Sequence, residues 1–161
     1  MPSTDENVVT DALNQLLGAY WTGYAQHQTH VALLASWGLH GLAADMATHI
    51  EDEPLTIGKL LDRLLDINGR PAFITTPPNI GGDLRSVLEN DMSIQRDTRP
   101  ALNAIAESAG AAHDATTRTL VETILVDEEL HLAWLETELE LLEKLGEALY
   151  TANRLGPTTA P

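Results

Sequence analysis

A chain of 161 residues has the length of one domain with a full core, and 43% hydrophobic with 20% charged residues marks a globular protein rather than a disordered one. Nine Lys plus Arg against 24 Asp plus Glu leave a formal net charge of −15, which excludes the clustered cations that a nucleic-acid backbone requires. Without cysteine, disulfides and thiolate-held metals are excluded as well, and no apolar run reaches the roughly 18 residues of a membrane span.

The acidic start, Met1 to Glu6, lacks the basic-then-apolar order of a secretory signal, so the cytoplasm is the expected compartment. A first helix is predicted from about Glu6 to Trp37, stopping at Gly38. Its inward stripe is Leu13, Leu16, Tyr20, Tyr24, His27, Val31 and Leu34, with Tyr20 and Tyr24 read as core aromatics. His30 and His40 fall near an edge or the surface. A second helical run extends from about Leu39 to the C-cap pair Asn68-Gly69, burying Leu42, Met46, His49, Glu53, Thr56 and Leu60. Pro54 lies inside it and is predicted to kink it beside Glu53, because an interior proline costs a helix about 3 kcal/mol.

From Pro71 to Gly82 there is no periodicity, and Pro77-Pro78-Asn79 marks an extended connection. A third helix follows from about Gly82 to Glu107, turning inward Leu84, Leu88, Asp91, Gln95, Leu102 and Ile105. It contains Pro100 and ends at the turn Ser108-Ala109-Gly110. The fourth, about Ala112 to Leu145, carries the stripe Leu120, Ile124, Glu128, His131, Leu135, Leu139 and Leu142, and Gly146 closes it. Glu147 to Arg154 forms a short fifth helix. One domain is thus expected over residues 1–155, with a flexible tail at 156–161. The class is all-α: a four-helix bundle of two antiparallel hairpins, with a long crossover between helices 2 and 3.

Glu128 and His131 take places on an apolar stripe that leucine would otherwise fill. A carboxylate and an imidazole spaced i, i+3 project side by side from one helix face. Burying both is costly unless something pairs with them, and a metal ion is one such partner. The other helices bring polar groups to the same level: Tyr20 and His27, then His49, Glu53 and Thr56, then Asp91 and Gln95. Oxygen and imidazole donors suit iron, manganese or zinc better than copper(I).

The segment Ile124-Leu125-Val126-Asp127-Glu128-Glu129-Leu130-His131-Leu132-Ala133-Trp134 resembles the fourth-helix motif of the bacterioferritins. Leu13-Asn14-Gln15-Leu16-Leu17, Trp37-Gly38-Leu39, Asp62-Arg63-Leu64-Leu65 and Asn79-Ile80-Gly81 extend the likeness over about Leu13 to Asn153. The resemblance implies a ferritin-like four-helix bundle, self-association into a hollow homo-oligomeric cage (24-mer or dodecamer) and a connection to iron. That family's di-iron centre uses four carboxylates and two histidines. Glu53, Glu128 and His131 fall on three of those ligand positions, whereas Tyr20, Thr56 and Gln95 stand at the other three. The resemblance therefore implies a modified metal site, mononuclear or weakly dinuclear, with His27 and His49 as replacement ligands and Asp91 in reserve, and at most slow ferroxidase activity. Pro54 stands where the family places its haem-ligating methionine, so no haem is expected.

Iron storage is the leading functional expectation. Beside it stand a catalytically silent subunit co-assembling with a second ferritin-like subunit, and a Dps-type protective dodecamer. The last is disfavoured by the charge and by the missing short helix in the crossover. An oxidase of organic substrates is a fourth reading that no residue specifically supports.

Overall fold

The computed structural model describes residues 4–157. Six helices are present among them: α1 (Thr4–Ser36), α2 (His40–His49), α3 (Glu53–Asp66), α4 (Leu84–Ala111), α5 (Ala115–Leu145) and α6 (Glu147–Ala152). The expected bundle is there. α1 packs against α2, α3 and α4, α4 against α5, and α6 folds back on α5. From residue 158 onward, the expected tail lies outside the described residues.

The second predicted rod is two helices. α2 stops at Ile50, and α3 restarts with Asp52 at its N-cap and Pro54 in its first turn. The chain breaks rather than kinks there. In the first turn of α3 the missing proline N–H is one that no helix would have bonded, so Pro54 costs nothing. The break leaves Glu53 at the head of α3 instead of mid-helix. At the far end, Asn68 takes φ 56° and the Gly69 N–H reaches the Leu64 carbonyl at 2.7 Å, a left-handed cap at the predicted pair.

The third rod runs past its predicted end. Ser108, Ala109 and Gly110 all remain helical, and the turn falls at Ala112-His113-Asp114, with His113 at φ 55°. Asp114 selects this later boundary by capping α5: its carboxylate accepts from the Thr117 N–H at 2.9 Å and from Arg63 at 2.7 Å. α4 starts in a full capping box between Asp83 and Ser86. α6 ends two residues before the predicted Arg154. It is fastened by buried Glu138, which accepts from Tyr150 at 2.5 Å and from the Arg154 guanidinium at 2.9 and 3.0 Å.

The crossover, residues 67–83, runs extended along α1 and hydrogen-bonds to that helix's side chains. Asn14 receives the Ala72 N–H at 2.7 Å and donates to the Arg70 carbonyl at 3.1 Å. Thr22 exchanges bonds with the backbone of Thr76, Gln26 accepts from the Asn79 N–H at 2.9 Å, and His30 accepts from the Gly81 N–H at 2.9 Å. Together with Gly18 these positions are spaced by four, one face of a helix. Gly18 is required: a Cβ there would lie 1.7 Å from the Ile74 carbonyl oxygen.

The core has two apolar parts. One gathers Leu13, Leu17, Ile57, Leu60, Leu102 and Val121, among others, and the second gathers Leu34, Leu42, Met46, Leu88, Leu135 and Tyr150. On every rod buried or half-buried polar residues lie between the two parts.

Candidate metal centre

That polar layer collects the side chains singled out from the sequence. Tyr20, His27, Glu53, Thr56, Asp91, Gln95 and His131 are all buried, and Glu128 is partly so. Two small cavities lie there, of about 10 and 20 Å³, enough for one water or ion each. Both are lined by Tyr20, Glu53 and Glu128. The first adds His27 and Gln95, while the second adds His49, Thr56, Asp52, Asp127 and His131.

Within the layer the donors and acceptors are largely paired with one another. The Tyr20 hydroxyl donates to Glu128 Oε1. His27 Nδ1 lies 2.5 Å from Glu53 Oε1, and the Gln95 amide is 3.0 Å from His131 Nδ1. His49 holds no such bond. Its ring stacks on His131 at 5.4 Å and 7°, and on Trp134 at 4.6 Å. Among the described residues, no group of three or more His, Asp or Glu side chains is arranged to hold a metal ion.

Five buried polar atoms nevertheless lack a partner: His27 Nε2, Glu53 Oε2, Asp91 Oδ2, Gln95 Oε1 and His131 Nε2. All five belong to this layer, and each would cost about 1–3 kcal/mol if left dry. They supply carboxylate oxygen, amide oxygen and imidazole nitrogen, the donor types of a cation site. Tyr20, Thr56 and Gln95 bring neutral groups to the layer, where Glu53, Asp91 and Glu128 bring carboxylates.

Electrostatics set the protonation of each group. Burial, followed by the neighbouring His27 and His49, pushes His131 down to about 3, so its imidazole is neutral; with the Gln95 amide donating to Nδ1, its proton sits on Nε2. For His27, burial opposes the charge, but the hydrogen bond and charge of Glu53, with Asp91 and Glu128, win and hold it above the ordinary histidine value. Burial raises Glu128, with Glu53 and Asp52 adding to the rise while the Tyr20 bond opposes it. Tyr20 is pushed well above its ordinary value by burial and by the Glu128 carboxylate. His49 is lowered, chiefly by burial.

Two contributors escaped sequence reasoning. His30, expected near an edge, is fully buried. Because its Nε2 accepts from Gly81, its proton sits on Nδ1 and is donated to Asp91 Oδ1 at 2.7 Å. Gln26 donates to the same oxygen at 2.9 Å. Asp91 is therefore held from α1, with His27 Nε2 3.8 Å away. The signal was the four-residue spacing of Asn14, Thr22, Gln26 and His30, a polar stripe beside the apolar one. His40 is exposed, as expected.

The comparisons with known proteins agree with this architecture. The family profile described as "Ferritin-like domain" matches residues 10–145. Bacterioferritin BfrA of Mycobacterium tuberculosis is 35% identical over 141 residues, 87% of this chain and 89% of that protein. The bacterial ferritin of Neisseria meningitidis serogroup B is 32% identical over 148 residues, 91% and 96% of the two chains. The solved structure of the mycobacterial BfrA superposes with a TM-score of 0.89 at 32% identity, covering 97% of each chain.

Proposed function

Since the chain belongs to the ferritin-like family, we propose that it is an iron-storing subunit of a hollow homo-oligomeric shell in the cytoplasm, with one modified cation site at its bundle centre. Glu53, Glu128 and His131 would hold the cation, with His27 as the replacement ligand and His49 as a stacked wall behind His131. The observation that carries the reading is the concentration of five unpartnered buried polar atoms in one layer. The larger of the two shell sizes is favoured over the Dps-type dodecamer, because the crossover holds no helix and the fold follows a bacterioferritin end to end.

A bound iron would supply a Lewis-acidic, redox-active centre. The chain's own part is to clear and orient the donors. Turning the Gln95 amide over would set its Oε1 against His131 Nδ1–H, freeing the Nε2 lone pair to face the cavity. An amide oxygen behind a ligating histidine is the usual outer support of such sites. Glu53 would offer Oε2 while Oε1 stays on His27, and Glu128 would offer Oε2 while Oε1 keeps the Tyr20 hydroxyl. Because those bonds share the two carboxylates with the cation, affinity falls below that of a preformed dinuclear centre, and iron oxidation is slow.

The test is metal analysis with native mass on shells purified without added metal. Less than one iron, manganese or zinc per subunit at the centre is expected, and Glu128→Ala with His131→Ala should remove it. Unchanged metal content in that double variant would refute the site. The internal pairing of Tyr20 with Glu128 and of His27 with Glu53 favours one competing reading, a silent shell subunit that assembles with an active partner. A shell that forms normally, binds no metal at its centre and oxidises no iron alone would establish it.

A further inference from the structure

We propose that a second copy of this chain docks on the face built by α3 and the crossover, with the two α3 helices antiparallel and Arg70 of each copy against Glu51 of the other. The proposal rests on the chain assembling with itself, as the shell reading requires, and adds the face and the residues that direct it.

Pro54, Leu61 and Leu65 fall on one stripe of α3, spaced i, i+7 and i+11. Half a turn round the helix from that stripe, Arg63 reaches across to Thr117 and Asp114 at the start of α5. The stripe therefore lies on the other flank, beside α1 and the crossover. There Phe73 stands 75% exposed, held against Trp21 of α1 with ring centroids 5.9 Å apart. Leu65 is 61% exposed. None of these five side chains is charged, on a chain whose net charge is −15. Large apolar residues grouped on a surface mark a docking site.

The distribution of charge selects the occupant. Among the described residues, every Lys and Arg except Lys59 and Arg70 is in an ion pair within the chain. Those two are exposed, one on α3 and the other at the start of the crossover. The cations left to meet an acidic partner thus lie on the elements that build this face, and a second copy is strongly acidic. In an isologous contact the apolar stripe meets itself. Direction follows from the two ends of α3. Arg70 lies shortly past its C-terminal end, and exposed Glu51 shortly before its N-terminal end. Parallel helices would set Arg70 against Arg70 and Glu51 against Glu51. Antiparallel helices set each Arg70 beside the second copy's Glu51.

The full chain would be followed by native mass and by sedimentation across protein concentration, with far-ultraviolet circular dichroism as the check on folding. Leu65→Glu with Phe73→Glu, both at exposed positions, should keep the helix content and abolish the full-size assembly. Val126→Glu with Leu130→Glu is the control. These apolar residues are 59% and 63% exposed on α5, but they stand among Glu122, Asp127 and Glu129, so the variant should assemble as wild type does. Arg70→Glu should raise the concentration for half-assembly at least about 10-fold, because it sets like charges together, and adding Glu51→Arg should restore it. If Leu65→Glu with Phe73→Glu loses helix, Arg70→Glu and its rescue decide. Full-size assembly of a folded Leu65→Glu, Phe73→Glu variant, or an equal loss in the α5 control, overturns the face. Arg70→Glu without effect, or without rescue by Glu51→Arg, overturns the antiparallel pairing. A wild-type chain that stays monomeric sinks the shell reading, and this contact with it.

Discussion

Gly18→Ala is expected to destabilise the protein although alanine is the better helix former. In an unhindered helix the exchange gains up to about 1 kcal/mol. Here the new Cβ would stand 1.7 Å from the Ile74 carbonyl oxygen and 2.8 Å from its carbon, backbone atoms that cannot swing aside as a side chain does. The crossover must move outward by about the shortfall from ordinary contact, roughly 1.5 Å or more. Overpacking of this kind costs about 1–3 kcal/mol. The shift also strains the paired bonds between Thr22 and Thr76, 3.2 and 3.3 Å long, worth about 0.5–1.5 kcal/mol each. Set against the propensity gain, the net loss is about 2–3 kcal/mol, which lowers Tm by roughly 5–10 °C in a domain of this size. Gly58→Ala is the matched control. It sits inside α3 with nothing within 4 Å of the added atom, so it should raise Tm slightly. Thermal scans of both variants at one scan rate and protein concentration provide the comparison. If Gly18→Ala matches or exceeds wild type, the crossover does not lie against α1 as described.

Asp91→Ala should cost about 2–5 kcal/mol in denaturant titration, because it strands the Gln26 amide and the His30 Nδ1–H inside the bundle. Asp91→Asn should recover part of the loss, since its amide oxygen still accepts. Glu138→Ala, which orphans Tyr150 and Arg154, should free α6 and turn the bond after Arg154 into an early trypsin site; unchanged digestion would refute the clasp. Asp114→Ala should remove an N-cap worth about 1–2 kcal/mol at neutral pH. Burial tends to raise the Asp114 carboxyl, but hydrogen bonds from Arg63 and Thr117 overcome this and hold it below its ordinary value of 3.8. Its contribution is therefore complete above that value and lost as pH falls through the lower folded-state value. The stability gap between wild type and variant should close only in strong acid. A gap that closes near neutral pH would contradict the assignment.

The rods and the inward positions were legible because both follow from helical spacing: a residue on the apolar stripe is inside whatever its chemistry. Gly38 and the pair Asn68-Gly69 announced their caps for the same local reason. Boundaries set by a competing partner were not legible. Gly110 looked like a stop, but Asp114, bound to Arg63 from a rod 51 residues earlier, chose a later one. Pro54 was expected to kink one continuous second rod, whereas the chain breaks before it and α3 begins afresh at Glu53. His30 was misplaced because it is one step off the leucine stripe of α1, and its second face is covered by a segment that is not helical and leaves no period to read. The self-pairing of Tyr20 with Glu128 and of His27 with Glu53 lies beyond sequence altogether, since it depends on which rods are neighbours and at what height.

A bundle whose cohesion resides at its two ends can breathe at its waist. Each apolar half is closed by residues from all four rods, whereas the middle is joined by contacts that water or an ion can replace one for one. Amide hydrogens of α1 and α5 at that level should then exchange by small local openings, sooner than those on either side. Faster exchange there than in the flanking apolar halves would mark such openings as the route by which an ion reaches the layer.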